Sequence, residues 1–204
     1  MKRSILLVSL LWGVWLFNFA YAQSPVMKFI NGEKKNFKTT QLAKAQGLSL
    51  AIDYPKEWKN EEDKQPYVLQ KFTRTYDKVT AQVAICMQII KNADEITQLK
   101  EAIQSNSFEQ IKPYLALINP EKDITFSQGM TYKIKDADGF WLKGTKKVAD
   151  NQFIFYKTYF WIFNDRLIIL PFSTTGETAE QASKNFSKYE SLFKLMLESV
   201  FVGN

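Results

Sequence analysis

Apolar and polar positions alternate early in the chain, with Leu48, Leu50, Ile52 and Tyr54 set against Ser49, Ala51 and Asp53. A period of two predicts a half-buried strand over 48–54, closed by Pro55. Residues 59–64 read as a charged loop, and 67–72 as a second strand. A longer strand spans 79–90. On it Val79, Ala81, Val83, Ile85, Met87 and Ile89 share one face, while Ala84, Cys86 and Ile90 occupy the other. Two apolar faces predict a strand covered on both sides. The period then changes. Ile96, Leu99 and Ile103 recur at helical spacing, and Phe108, Ile111, Tyr114 and Leu115 continue the pattern over 92–117. Ser105-Asn106-Ser107 interrupts that helix, and Pro113 kinks or ends its second half.

Strands follow over 124–134 and 140–148, around a turn at 136–139. The boldest strand is 153–163. Phe153, Phe155, Tyr159, Trp161 and Phe163 point one way, and Ile154, Tyr156, Phe160 and Ile162 the other. Asn164-Asp165 predicts a hairpin turn into a strand over 167–172. A last helix over 177–200 carries the stripe Phe186, Tyr189, Phe193, Met196, Leu197 and Val200. Strand hairpins around one helical insertion, followed by a closing helix, predict an α+β fold. Its architecture is an α/β/α sandwich with a central, mainly antiparallel sheet covered by helices.

The first residues set the compartment. A short basic start, Lys2-Arg3, precedes an apolar run over 5–20, and Ala20-Tyr21-Ala22 places small residues before Gln23. This is the layout of a cleaved secretory signal peptide over 1–22. The run is shorter than the roughly 20 residues that span a bilayer core, so no membrane span is expected after cleavage. The expected organisation is a signal peptide at 1–22, a flexible basic arm at 23–46 and a single domain at 47–204. The destination is outside the cytoplasm, with the periplasm favoured over the extracellular space.

Charge and chemistry narrow the function. Lys and Arg total 27 against 21 Asp and Glu. Beyond the leader the only arginines are Arg74 and Arg166, so the arginine forks that read nucleic acid are scarce and no nucleic-acid partner is expected. There is no histidine and a single cysteine, Cys86. Without a base beside it, Cys86 reads as a buried, inert thiol. Ser191 and Lys194 have the S-x-x-K spacing of serine acyltransferases but lack the companion motifs. The acidic groups Glu61-Glu62-Asp63, Asp94-Glu95, Glu121 with Asp123, and Asp136 with Asp138 suit turns and caps better than a metal loop. No cofactor, metal site or catalytic residue is expected. The aromatic residues are the better candidates for binding: the rim carrying Asp53, Tyr54 and Trp58, and then Trp141.

The stretch 47–58, GLSLAIDYPKEW, runs an apolar strand into Pro and then Trp. It resembles the first core strand of the Mog1/PsbP-like fold, and 65–72, QPYVLQKF, resembles the next strand of bacterial members. The order of elements through Leu197-Glu198-Ser199-Val200 follows the same pattern, so the resemblance covers 47–200. It implies a non-enzymatic module that serves a larger assembly, as in the branches acting on a Ran-type GTPase and on the oxygen-evolving complex. The expected function is an exported, non-catalytic accessory or binding protein of the bacterial cell envelope with a protein partner. The alternatives are a carrier holding a small ligand in an apolar pocket between sheet and helices, and a carboxylate-based hydrolase.

Overall fold

The computed structural model describes residues 24–119 and 123–203. The expected signal peptide at 1–22 and Glu121 lie outside the described residues. In chain order the elements are α1 (Pro25–Ile30), β1 (Lys34–Lys38), β2 (Ser49–Pro55), β3 (Lys59–Glu61), β4 (Val68–Tyr76) and β5 (Val79–Ile89). A helical insertion follows: α2 (Ala93–Gln104), α3 (Phe108–Ile111) and α4 (Leu115–Ile118). The chain closes with β6 (Thr125–Ile134), β7 (Ala137–Ala149), β8 (Gln152–Phe163), β9 (Arg166–Gly176), α5 (Ala179–Glu198) and β10 (Phe201–Gly203).

The central layer is an antiparallel sheet of seven strands in the order β3-β4-β5-β9-β8-β7-β6. Tight two-residue turns set its register. Asp77 and Lys78 join β4 to β5, both with positive φ, and Asn164 takes the left-handed position before β9. One face packs on α2–α4 through Ala84, Cys86, Phe140, Phe160 and Ile169. The other packs on α5 and on a three-stranded sheet, β1-β2-β10, through Val83, Ile85, Trp161, Leu170 and Phe172. The two-faced reading of β5 and β8 therefore holds, and the α+β sandwich with it. Ile89 departs from that pattern, since it sits at the last position of β5 and is exposed.

Three expectations are corrected, and one is met. The described part of the segment read as a flexible arm is ordered structure. Ser24 caps α1, β1 pairs with β2 along its length, and Phe29, Thr39 and Ala45 are buried. The Thr39 hydroxyl donates to the Leu48 carbonyl and accepts from the Leu50 N–H at 2.9 Å. One threonine thus replaces two ladder bonds, a pattern that lysine-rich composition does not reveal. The charged loop after Trp58 opens with β3, an edge strand paired to β4. As expected, the helical stretch over 92–117 is interrupted at 105–107, where Asn106 turns left-handed, and Pro113 ends α3 in a 3-10 turn before α4. The turn placed at 136–139 lies at Lys135-Asp136. Asp138 belongs to β7 and pairs with Lys133 across the ladder.

Candidate functional site

The residues singled out from sequence separate into two groups. Tyr54 and Trp58 are 4% and 3% exposed. Tyr54 lies against Phe72, with ring centroids 4.4 Å apart, and Trp58 meets Tyr189 and Phe193 edge-on. The expected solvent-facing rim is therefore mostly core, because α5 covers this part of β2 and the turn after it. Asp53 remains at the surface of that layer. Its carboxylate pairs with Lys34 at 2.7 Å and accepts from Asn36 at 2.8 Å. Burial raises its pKa, and the Lys34 and Asn36 hydrogen bonds with the Lys34 charge outweigh it, so the group sits below the ordinary carboxylate range. Asp53 thus ties β1 to β2.

The other candidates resolve similarly. Cys86 is 6% exposed in the layer under α2–α4. Lys194 is exposed and faces Glu198 at 3.8 Å. Asp63 is lowered mainly by its hydrogen bond from Lys71, and Asp138 by that from Lys133, in both cases against a smaller opposing effect of burial. An acid catalyst needs a carboxyl held high, and Asp53, Asp63 and Asp138 are all held low. Among the described residues no group of acidic or thiol side chains is placed to hold a metal ion. Among the described residues two cavities lie between the sheet and the helical insertion: one of about 50 Å³ lined by Val68, Ala84, Cys86 and Ile169, and one of about 220 Å³ beside Lys100, Ile103 and Ile162. Ligand pockets run to roughly 300 Å³ and above. An open polar groove of about 670 Å³ lies at the start of α5, beside Asp77, Lys78 and Gln152. Its buried amide, Asn185, is held within the fold: it donates to the Thr175 carbonyl at 2.9 Å and accepts from Gln181 and Lys188.

Trp141 is the expected aromatic site residue that reaches solvent. It lies half-buried on β7, on the face shared with α5, where that helix's contacts with the sheet thin out from β9 and β8 to β7. The register assembles its neighbours. Trp141 stands opposite Tyr159 of β8 and Met130 of β6, and Lys143 stands opposite Lys157. The Lys157 ammonium sits 5.0 Å from the Trp141 ring centre and 5.7 Å from that of Tyr159, and pairs with Glu190 of α5 at 3.0 Å. Burial pulls Lys157 down, but Tyr159 and Glu190 overcome it and hold the ammonium above its usual range. Burial also raises Tyr159, against the pull of Lys157.

Tyr132 completes the cluster, meeting Tyr159 edge-on at 5.3 Å. It reaches across Gly139, where a side chain would lie 2.9 Å from the Phe160 carbonyl oxygen. Met130 is 45% exposed. The result is a ledge of Trp141, Tyr132, Tyr159 and Met130 with a cation locked against the rings. Sequence reasoning reached Trp141 and missed the rest. The available signal was Lys157 itself, a lysine in the otherwise aromatic row Phe153, Phe155, Tyr159, Trp161. Pairing partners on β6 and β7 require the register.

No family model matches the chain, and no curated protein matches its sequence. Among solved structures, cyanobacterial PsbP from Synechocystis sp. PCC 6803 is similar with a TM-score of 0.56 and 14% identity, over 84% of this chain and 93% of that one. LpqN of Mycobacterium tuberculosis, described as involved in cell envelope biogenesis, gives 0.47 and 9% identity over 87% and 96%. The Ran-binding protein Mog1p of Saccharomyces cerevisiae gives 0.44 and 13% over 82% and 94%. The likeness to PsbP shows the arrangement of elements. No helix among the described residues is long and apolar enough to cross a membrane.

Proposed function

We propose that this chain, which has the Mog1/PsbP-like fold, is an exported, non-catalytic accessory protein that binds a protein partner through the Trp141 ledge. The observation that carries this reading is the ledge itself. Half-buried indole and phenol rings lie on the sheet face beside α5, and the cation–π contact and the Lys157–Glu190 pair hold them in place. Rings fixed before binding lose little conformational entropy on contact, which is what makes Trp and Tyr effective anchors at protein interfaces. The basic start and apolar run of the sequence support export, with the periplasm the favoured destination. Cavities of about 50 and 220 Å³ between sheet and helices, below the roughly 300 Å³ of ligand pockets, support the surface as the binding element in preference to an enclosed carrier site.

The test is capture from the native host. The chain carries a C-terminal tag, is purified gently from envelope and medium fractions, and everything retained is identified by mass spectrometry. A stoichiometric protein partner is expected, and Trp141→Ala weakens its retention by about 2 kcal/mol or more, the scale of an interface anchor. A partner retained equally by the variant removes the ledge from the reading. A lone chain carrying a small molecule replaces it with a carrier.

A further inference from the structure

Lys143 and Lys157 stand directly opposite each other on β7 and β8, so their side chains leave the same face of the sheet. Like charges in this position repel and destabilise the pair. The fold relieves only half of this. Lys157 has Glu190 at 3.0 Å, whereas Lys143 has no carboxylate among the described residues. The next cross-strand pair on the same face is Trp141 with Tyr159. The Lys157 ammonium adjoins both rings, and the Lys143 side chain leaves the same face beside it. A like-charged pair beside a half-buried aromatic patch suits a ligand that brings the missing negative charge.

We infer that Lys143 and Lys157 form an anion-binding pair, and that its ligand is an acidic segment of the protein partner. One carboxylate sits between the ammonium groups, and a neighbouring apolar side chain lies on Trp141. This rests on the reading of the ledge as the partner surface. The apolar surroundings select a peptide over an acidic sugar. Met130, opposite Trp141 and well exposed, offers an adaptable thioether that fits side chains of varied shape. Sugar hydroxyls need several polar partners, and the β6 neighbours on this face offer Gln128 and the Tyr132 hydroxyl.

The experiment measures binding of labelled poly-L-glutamate, with polygalacturonate as competitor, to the full chain and two variants. Lys143→Glu acts at the site. Lys100→Glu makes the same charge change on the exposed face of α2, in the opposite layer. Lys143→Glu should weaken poly-L-glutamate binding at least about tenfold at low salt while Lys100→Glu changes it less than about threefold. The site variant should also raise Tm by up to about 4 °C, because it turns a repulsive cross-strand pair into an attractive one. Equal weakening by both variants, no binding by the wild type, or a lowered Tm for Lys143→Glu overturns the inference. Tighter binding of polygalacturonate overturns the peptide assignment. A captured partner that Trp141→Ala releases and Lys143→Glu does not would leave the ledge standing and remove the anion pair.

Discussion

Thr39→Val isolates the bond between the N-terminal segment and the rest of the fold. The side chain is fully buried, and valine keeps its volume and branching while removing the hydroxyl. Two backbone groups lose a partner: the Leu48 carbonyl that accepts from it and the Leu50 N–H that donates to it at 2.9 Å. Each buried, unsatisfied group costs about 1–3 kcal/mol, and the added methyl recovers about 1 kcal/mol. The net loss should be about 1–5 kcal/mol. Urea unfolding followed by tryptophan fluorescence reads this as a lower midpoint at unchanged slope, since the surface exposed on unfolding is the same. Thr39→Ser keeps the hydroxyl and should lose about 1 kcal/mol or less. A loss below about 0.5 kcal/mol for the valine variant, or equal losses for both, would refute the claim that this hydroxyl joins the segment to β2.

Two further outcomes follow from the described contacts. Asp53 is held below its ordinary value near 3.8, so its pairing stabilises the fold above that pH and is lost as pH falls through the lowered folded value. Tm measured against pH should therefore fall more steeply below about pH 4 for the wild type than for Asp53→Asn, with a constant difference between about pH 5 and 8; parallel curves would reject the assignment. Cys86, 6% exposed beneath the helical insertion, should react with a thiol reagent only in denaturant, and rapid labelling of the native chain would show that layer to be open.

Much of the fold was legible because the central strands are apolar on both faces, and only a sheet covered on both sides accommodates that. The alternation over 153–163 assigned Phe155, Tyr159 and Trp161 to one layer and Phe160 to the other, as found. The short strands were not legible. The polar run Lys34–Lys38 and the three-residue β3 and β10 carry almost no period, and their strand character comes from partners distant in sequence. The same holds for the site. Trp141 was visible as a tryptophan near a strand start, but Tyr132, Lys143 and Met130 become its neighbours only through register, which the hairpin turns set. Tyr54 and Trp58 misled because a tryptophan after a Pro-closed strand looks like a loop residue. The helix that buries it begins about 120 residues later.

β2 is flanked by strands from opposite ends of the described chain, β1 before it and β10 about 150 residues after it. Ser199 completes the stitch by accepting the Asp53 N–H at 2.9 Å. Closing so long a loop brings its contacts in late, after the hairpins of the large sheet can form locally. During synthesis the large sheet and α5 are available before β10, so the layer built on Leu50 and Ile52 has one open edge until residues 201–203 emerge. A chain truncated by its last few residues would carry a nearly complete core with an unlatched flank. That flank would be the first place for proteases and chaperones to engage it.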